Sequence, residues 1–563
     1  MQHLWLSQYP PNVAHTIDPS IYPSLVDLLN ASCKNNADRT AYQHLGSTLS
    51  YAQLDLLSCN LACYLQEKLT PGAHVAIMMP NGLASPVTLF AILRAGCVVV
   101  NTNPLYTRDE LVHQLRDSGV TAIIAIAHVA EVITAALPDV PLLKHVILHE
   151  FGDLFSPIKR CLFNFICKHI KPGIKPYNLP TAVKFRNALK YGSQLSLKPA
   201  NIRPEDLAFL QYTGGTTGVS KGAMLSHKNM VANVLQTAAW IAPVLNTHKS
   251  KQEIIITALP LYHIFSLTAN CLLFLHLGAK NILITDPRAT KQMIKQIKHQ
   301  KFTAITGVST LFASLLHHSN FKDIDLSELK MALAGGMSLP KQLAGLWFET
   351  TKVQLTEAYG LTEASPAVSI NQVQANINKI EPSDLDRECI GLPLPSTEIA
   401  IRDPKGIDLP VGSAGELCVR GPQVMSGYWH RKNETDEIFY SDLFLRTGDC
   451  ALMNHQGFLF LIDRIKDMII VSGFNVYPNE IERVIAQMPQ VLEVAVVGVE
   501  TPDGNEHVKA CIVKRDQLLT KAQVLIHARK HLTGYKIPRR VEFYNELPKS
   551  AVGKILRREL KTL

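Results

Sequence analysis

Short apolar runs that alternate with longer amphipathic segments constrain the fold of this chain more than any other feature of its sequence. The apolar runs are short enough for buried strands and lie at 75–79, 98–100, 121–126 and 146–148. Other segments carry helical spacing of apolar residues, as at 108–118 and 291–298. Strands that alternate with helices build sheets rich in parallel strands, with helices on their faces. The sequence therefore predicts an α/β fold with parallel-rich sheets.

A change in pattern near residue 463 predicts two domains of unequal size. A polar, Gly-rich stretch at 446–457 precedes this point, and a compact succession of strands and a helix follows it between 491 and 531. A chain of 563 residues is long enough for several units. We expect a large, multi-subdomain N-terminal body over 1–463 and a small, mobile α+β domain over 464–563.

Positive charge is concentrated at the C-terminal end. Lys and Arg number 56 against 47 Asp and Glu, a net charge of +9. Residues 521–563 alone hold eleven Lys and Arg against three Asp and Glu, which is +8 of that total. A local excess of this kind favours a site for an anionic group such as a phosphate. Charge alone favours a nucleic-acid-binding module, which would bind DNA in a salt-sensitive manner. Because no other feature supports it, we expect no nucleic-acid partner.

The cysteine pattern predicts a reducing compartment. The chain has 11 cysteines, an odd number, and no Cys-x-x-Cys pair, so reduced thiols are favoured over zinc sites or a disulfide framework. The first residues, MQHLWLSQYPPN, lack the basic end and apolar core of a secretory signal. No run approaches the roughly 20 apolar residues of a membrane-spanning helix. We expect a cytoplasmic protein.

The segment 156–171 reads as an amphipathic, basic helix. Ser156 and Pro157 are typical of a helix start, and Pro172 follows the end. One face carries Ile158, Leu162, Phe165 and Ile166, and another carries Arg160, Asn164, Lys168 and Lys171. Such a helix either lies on an anionic bilayer, here the inner face of the cytoplasmic membrane, or packs its apolar face on the protein's own core. The sequence leaves both open.

The clearest local signal is a Gly- and Thr-rich loop. Its candidate anion-binding residues, after the apolar run 207–210 and before a helix that Ser226 can cap, are Thr213, Gly214, Gly215, Thr216, Thr217, Gly218 and Lys221. Glycines let backbone N–H groups approach an anion, threonine hydroxyls donate to phosphoryl oxygens, and lysine adds charge. Because Gly222 follows the lysine, this is not a P-loop, which has Ser or Thr there. The pattern predicts a phosphate site between a strand and a helix.

Three further constellations are weak when each is taken alone. The segment 356–363 combines an aromatic ring, a hydroxyl and a carboxylate in Tyr359, Thr362 and Glu363, which suit a base, a phosphate and Mg²⁺. Asp449 follows a Gly, and a carboxylate there either caps a turn or holds ribose hydroxyls. The Gly-bearing loop 547–554 ends in Lys554, within the basic segment.

Taken together, and in this order, the four motifs resemble those of the adenylate-forming superfamily of acyl-CoA synthetases, luciferases and peptide-synthetase adenylation domains. The similarity covers essentially the whole chain. It is strongest to bacterial long-chain-fatty-acid–CoA ligases at 206–224, 258–265, 467–481 and 532–560. The resemblance implies a two-domain α/β fold and a reaction in two halves. A carboxylate attacks the α-phosphorus of Mg·ATP to give an acyl-adenylate and pyrophosphate, and the thiol of coenzyme A then displaces AMP.

The resemblance also implies where ATP and Mg²⁺ bind. The Gly/Thr loop cradles the phosphates, and Thr362 touches the α-phosphate. Glu363, with Thr213, holds Mg²⁺, and Asp449 and Arg464 hold the ribose. The adenine is bordered by Gly335, Gly336, Tyr359 and Gly360.

Four catalytic residues follow in the same way: Lys554, His263, Thr362 and Glu363. Lys554 bridges the acyl carboxylate and the α-phosphate. The small domain then rotates about a hinge at 463–466, with Lys466 as its pivot, and brings Gly473 near the pantetheine channel. His263 is a gate beside the carboxylate, with a buried structural histidine as the alternative. Ser309 and Thr310 line the acyl pocket.

The implied activity is ATP-dependent ligation of a long-chain fatty acid to coenzyme A through acyl-AMP. The alternatives within the same chemistry are medium-chain or aryl acids, or a carrier protein as the acceptor. The sequence fixes neither the acyl length nor the oligomeric state, and a homodimer stays open.

Overall fold

The structure is a computed structural model that describes residues 3–169, 174–213, 220–245, 251–372, 388–471, 474–500, 506–550 and 553–562. In these parts of the chain two large sheets form an N-terminal body and two small sheets form a C-terminal domain. The predicted mixed α/β class is confirmed. No helix of the described residues combines the length and the apolar character needed to cross a bilayer.

The first large sheet has seven strands, and all but its last pairing are parallel. In spatial order the strands are Val183–Lys184, His145–His149, Ala122–Ile126, His74–Met78, Val98–Asn101, Leu207–Thr213 and Lys221–Ser226. Every residue of Ala122–Ile126 is buried, as expected for a parallel strand covered by helices on both faces. The four strands predicted between residues 75 and 148 are confirmed.

The second large sheet has thirteen strands and is parallel only in its central part. In spatial order it contains Glu398–Arg402, Gly415–Arg420, Leu445–Met453, Leu459–Arg464, Glu388–Pro393, Ala367–Ile370, Leu355–Gly360, Met331–Gly335, Ala304–Gly307, Ile254–Thr257, Lys280–Leu283, Thr40–His44 and Ser47–Ser50. The run from Leu355–Gly360 to Thr40–His44 is parallel. From Leu355–Gly360 to the other end the pairings are antiparallel.

The described α-helices surround these sheets. They are Leu25–Asn35, Tyr51–Gln66, Ala84–Arg94, Arg108–Ser118, Ala130–Ala136, Pro157–His169, Phe185–Gly192, His227–Ile241, Ile264–Ser266, Leu273–His276, Thr290–Ile297, Ser309–His317, Lys341–Thr351, Lys432–Ile438, Pro478–Ala486, Lys521–His531 and Arg557–Thr562. A π-helical turn, Leu267–Leu272, joins two of them. The helices predicted at 108–118 and 291–298 are confirmed as Arg108–Ser118 and Thr290–Ile297.

The C-terminal domain has its own apolar core. Two clusters of buried side chains, from Ile469 to Val541 and from Ala495 to Leu560, contain only residues of this part of the chain. The strands Val491–Glu500, Glu506–Lys514 and Arg540–Tyr544 form one sheet, and Ile469–Val471 pairs with Phe474–Val476. The predicted small α+β domain is thus present, and its boundary after residue 463 stays a prediction.

The helix Pro157–His169 lies against the body, with Phe163 packed on the core and three other apolar residues outward. Ile158, Leu162 and Phe165 are 86%, 56% and 57% exposed. Asn164, on the predicted polar face, instead contacts the body, where it donates to Glu150 and accepts from the Gly152 N–H. The alternative of an apolar face packed on the protein's own core is therefore wrong for these three residues. Lys171 lies outside the described residues.

Candidate active site

One cleft of about 3560 Å³ lies between the N-terminal body and the C-terminal domain. It collects the predicted site residues that the structure describes: Thr213, Lys221, His263, Ser309, Thr310, Gly335, Gly336, Tyr359, Gly360, Thr362, Glu363, Asp449, Arg464, Lys466 and Lys554. The predicted residues Gly214, Gly215, Thr216, Thr217, Gly218 and Gly473 lie outside the described residues. The described candidates span more than 300 positions of sequence, and folding places them around a single space.

The Gly/Thr loop is carried by a β-hairpin. Its two ends, Thr213 and Lys221, are paired across the antiparallel strands Leu207–Thr213 and Lys221–Ser226. The predicted helix capped by Ser226 is confirmed as His227–Ile241, and a strand that was not predicted, Lys221–Ser226, lies between it and the loop. The antiparallel pairing fixes the two ends of the loop relative to each other, which a strand–helix connection would do less tightly.

Side chains from distant segments hold the base of this hairpin. The Tyr212 hydroxyl donates to Asp117 Oδ2 over 2.7 Å, and Arg431 forms an ion pair with the same carboxylate. Lys221 Nζ lies 3.8 Å from Glu434 Oε1 and 5.4 Å from the centre of the Tyr428 ring. The ammonium group of Lys221 is thereby held at the cleft wall.

A second set of contacts joins Tyr359 to the strand pair that carries Asp449 and Arg464. The Tyr359 hydroxyl donates to Asp449 Oδ2 over 2.6 Å, and Arg464 Nε lies 3.5 Å from Asp449 Oδ1. Asp449 and Arg464 are directly opposite each other in neighbouring strands. Burial, followed by the Asp449 charge, raises the pKa of Tyr359 well above its ordinary value, so the phenol stays a hydrogen-bond donor.

Two glycines border this part of the cleft because the backbone is crowded there. A side chain at Gly360 would begin 2.1 Å from the carbonyl oxygen of Pro366, and one at Gly335 would begin 3.1 Å from Phe265 and from the carbonyl oxygen of Ala358. Gly336 adopts a φ of +76°, which favours glycine. Backbone can therefore approach a ligand here more closely than any side chain would allow.

Glu363 is oriented by a residue that the sequence did not suggest. The Tyr428 hydroxyl donates to Glu363 Oε1 over 2.6 Å. Within the described residues the other carboxylate oxygen accepts no hydrogen bond, and the side chain lines the cleft. Mg²⁺ in nucleotide sites is commonly bound by one or two carboxylates together with substrate phosphates. A single oriented carboxylate beside the Gly/Thr loop fits that requirement, and Thr213 supplies a hydroxyl at the loop's start.

Lys554 enters the cleft from the C-terminal domain. Its loop is closed by hydrogen bonds between Ser550 and Lys554, and Gly553 adopts a φ of +85°. A Cβ at Gly553 would lie 3.1 Å from Thr310 Oγ1, so the loop touches the N-terminal body. Burial, and then the neighbouring Arg464, lower the pKa of Lys554 to about 8. The amine is thus mostly charged at neutral pH, and it loses its proton as the pH rises through about 8.

His263 faces Lys554 from the opposite wall. Its Nδ1 accepts the Phe265 N–H and so caps the short helix Ile264–Ser266. Burial, and then the charge of Lys554, lower the pKa of His263 to about 4, so the ring is neutral at physiological pH. Gln211 bridges the cleft floor, since it donates to the Tyr262 carbonyl and accepts from Asn101.

Sequence reasoning missed the residues that orient the predicted ones, namely Asn101, Asp117, Gln211, Tyr428, Arg431 and Glu434. Tyr428 is 65 positions from Glu363, and Asp117 is 95 positions from Tyr212. Pairings over such separations leave no periodic signal in one sequence. Phe474, which follows the predicted Gly473, lies outside this cleft, where it is 55% exposed and stacked on Tyr535.

Comparisons with known proteins show the family of this chain. A family model described as AMP-binding enzyme matches residues 29–429, and one described as AMP-binding enzyme C-terminal domain matches residues 480–554. A long-chain-fatty-acid–CoA ligase of Escherichia coli is 49% identical over 565 residues, which cover 100% of this chain and 98% of that protein.

Two solved structures share the fold. The anthranilate CoA ligase AuaEII in complex with anthranoyl-AMP matches with a TM-score of 0.82 and 23% identity, over 97% of this chain and 98% of that one. ATP-bound MatB from Rhodopseudomonas palustris matches with a TM-score of 0.80 and 26% identity, over 95% of this chain and 98% of that one. The chain therefore belongs to the family of AMP-binding enzymes.

Proposed function

We propose that this enzyme joins a long-chain fatty acid to coenzyme A through an acyl-AMP intermediate and releases AMP and pyrophosphate. ATP and coenzyme A are its co-substrates, as the family and the full-length relatives of that name indicate. The observation that carries the proposal is the convergence of Lys554, from one domain, with the Tyr359–Asp449–Arg464 set from the other. Such a site can bind a nucleotide and place a cation at its α-phosphate.

In the first half-reaction the chain's own residues bind, orient and neutralise charge. Asp449 and Arg464 hold the ribose hydroxyls, and Tyr359 lies beside the adenine. Thr362 donates to the α-phosphate. Lys221 and the Gly/Thr loop hold the departing pyrophosphate. Lys554 approaches the attacking carboxylate and the α-phosphate together, where negative charge develops, and a fixed cation in a site shielded from water stabilises that charge most.

Mg²⁺ is the metal we propose for this site. Glu363, oriented by Tyr428, and Thr213 are the residues that would hold it. When bound, the ion would neutralise phosphate charge and orient the phosphates.

His263 stays neutral beside Lys554 and so adds no repulsion to that cation. We propose that it borders the acyl carboxylate, with Ser309 and Thr310 at the entrance of the acyl pocket. For the second half-reaction the small domain rotates about 463–466, with Lys466 as the pivot, which withdraws Lys554. The exposed position of Phe474 supports a role for 472–474 at coenzyme A only after that rotation.

Acid-dependent exchange of labelled pyrophosphate into ATP tests this function. We expect exchange with saturated long-chain acids, and thioester formation when coenzyme A is added. Strong preference for medium-chain or aryl acids, or transfer to a carrier protein in place of coenzyme A, would support the alternatives. Absence of exchange with every acid would refute adenylation.

We also propose that the helix Pro157–His169 contacts the inner face of the cytoplasmic membrane, from which long-chain acids are drawn. Ile158, Leu162 and Phe165 form an exposed apolar stripe, and Cys161 lies within it. The helix carries Arg160 and Lys168 and no acidic residue, whereas Lys159 is turned to the body, where it donates to the Leu45 carbonyl. An apolar stripe flanked by positive charge suits the interface of an anionic bilayer.

Sedimentation with anionic liposomes tests this contact. Leu162→Ser with Phe165→Ser should strongly reduce the bound fraction, since each removes apolar area from the interface. Ile407→Ser with Leu518→Ser, at positions 60% and 81% exposed elsewhere, is the matched control and should bind normally. Equal binding of both double variants would exclude the helix as the contact.

A homodimer is compatible with the sequence and stays a prediction. Sedimentation equilibrium decides it, since a particle of twice the chain mass supports it and one of the chain mass contradicts it.

A further inference from the structure

A cluster of buried charges lies where the predicted hinge joins the two domains. Asp463 is the penultimate residue of the strand Leu459–Arg464 and is 1% exposed. Its Oδ2 accepts the backbone N–H of Asn479 over 2.8 Å, and its Oδ1 accepts the N–H of Arg464 over 2.7 Å. A carboxylate of the body's last strand is thus bonded to a helix of the small domain.

That bond has the geometry of a helix cap supplied from outside the helix. Pro478 is the first residue of the helix Pro478–Ala486, and Tyr477 before it gives no side-chain cap. The N–H groups of the first turn have no partners within a helix, and a carboxylate is the favoured acceptor there. Asp463 accepts the N–H at the second helical position. A residue of the body therefore caps a helix of the small domain.

Arg557 completes the cluster from the last helix. Its Nη2 donates to Glu482 Oε1 and Oε2 over 2.8 and 2.9 Å and to Asn479 Oδ1 over 2.8 Å. Its Nη1 lies 3.3 Å from Asp467 Oδ2 and 3.8 Å from Asp463 Oδ1. The guanidinium therefore ties the last helix to the first helix of the small domain and to both sides of the predicted hinge.

Arg557 is three positions after Lys554. The intervening backbone is fixed by a bridge between Lys549 and Ile555 and by the hydrogen bond from Leu556 N to the Pro548 carbonyl. While these contacts hold the Arg557 guanidinium, they limit where the ammonium group of Lys554 can lie.

We propose that Asp463 and Arg557 are positioning residues that hold the small domain in the adenylate-forming orientation, with Lys554 in the cleft, and that their contact opens for thioester formation. This inference rests on the proposed function, because it takes Lys554 as the cation of the first half-reaction and 463–466 as the hinge. Neither residue contacts the reacting atoms. Their effect is on the first half-reaction alone.

A double-mutant cycle measured on the two half-reactions tests this. Arg557→Met and Asp463→Asn should each lower acid-dependent pyrophosphate exchange about tenfold or more. Arg557→Met removes the guanidinium that joins the last helix to Asn479, Glu482 and Asp467, and Asp463→Asn removes the charge from the acceptor of the Asn479 N–H. Thioester formation from supplied acyl-AMP and coenzyme A should stay within about twofold of the unmodified enzyme. In pyrophosphate exchange, the double variant should be no slower than the slower of the two single variants.

The exposed Arg529, in the helix Lys521–His531 and outside the cleft lining, provides the matched control, and Arg529→Met should exchange normally. Retained thioester formation also shows that a variant is folded, and Asp463→Asn, which keeps the side-chain shape, decides the question where Arg557→Met does not fold. Equal losses in both half-reactions, or losses that multiply in the double variant, would overturn the inference. If the unmodified enzyme exchanges and both single variants match it, this inference fails and the proposed function stands. If the unmodified enzyme shows no exchange, both fail.

Discussion

Lys554 is the residue on which the proposed chemistry depends most. Lys554→Ala should lower acid-dependent pyrophosphate exchange by two or more orders of magnitude, because the charge on the α-phosphate then lacks its cation (about 3 kcal/mol for one lost stabilising group). Thioester formation from supplied acyl-AMP should persist. Lys549→Ala, on the same loop but paired with Glu493, is the control. Equal loss in both half-reactions would contradict the role of Lys554.

The titration of Lys554 gives a second prediction. Burial and Arg464 lower its pKa to about 8. The charged form is the lower-pH form of an amine, so the rate of adenylation at low substrate should fall as the pH rises through about 8. The pH profile of kcat/KM for exchange measures this. A profile flat to pH 10 would show that the loss of this proton does not limit the reaction.

Asp449 links the ribose site to Tyr359. Asp449→Asn removes the charged acceptor from the Tyr359 hydroxyl and the partner of Arg464. A hydrogen bond to a charged group contributes about 1.5–3 kcal/mol, so kcat/KM for ATP should fall roughly 10- to 150-fold. The effect should appear with every acid tested. An unchanged kcat/KM for ATP would exclude Asp449 from the nucleotide site.

At the scale of elements, the strand Leu355–Gly360 ends at a position that has no room for a side chain. Gly360→Ala would place a Cβ 2.1 Å from the Pro366 carbonyl oxygen and displace the adjoining Thr362 and Glu363. We expect at least a tenfold loss of exchange activity. Gly345→Ala, in the helix Lys341–Thr351 with no atom within 4 Å, is the control and should stabilise that helix slightly. Normal exchange by Gly360→Ala would show that the crowding is relieved elsewhere.

Elements with a local signature could be predicted from the sequence. The helix Arg108–Ser118 has Thr107 and Glu110 as a capping box at its start and Gly119 in a left-handed conformation at its end, and both ends were predicted correctly. The strand Lys221–Ser226 has neither strict alternation nor a turn signal of a known type, so it was missed. Contacts such as Tyr428 with Glu363 could not be predicted, because they depend on how distant strands pair.

At the scale of the whole molecule, the two domains meet around one site. The N-terminal body supplies Asp463 and the residues proposed to bind the nucleotide, and the small domain supplies Lys554 and Arg557. The resemblance predicted residues from both domains for one site, and those that the structure describes line one cleft. It did not predict which contacts hold the orientation of the small domain. A motif specifies residue types along the chain, whereas the neighbours of each residue depend on the folded structure.

Transfer of carboxyl oxygen tests the central claim most directly. The enzyme is incubated with ATP, coenzyme A and a long-chain fatty acid labelled with ¹⁸O in its carboxylate, and the nucleotide products are examined by mass spectrometry. Attack on the α-phosphorus predicts AMP that carries one ¹⁸O, together with unlabelled pyrophosphate. Formation of ADP with the label in inorganic phosphate, or of AMP without label, would contradict activation of the acid through an acyl-adenylate.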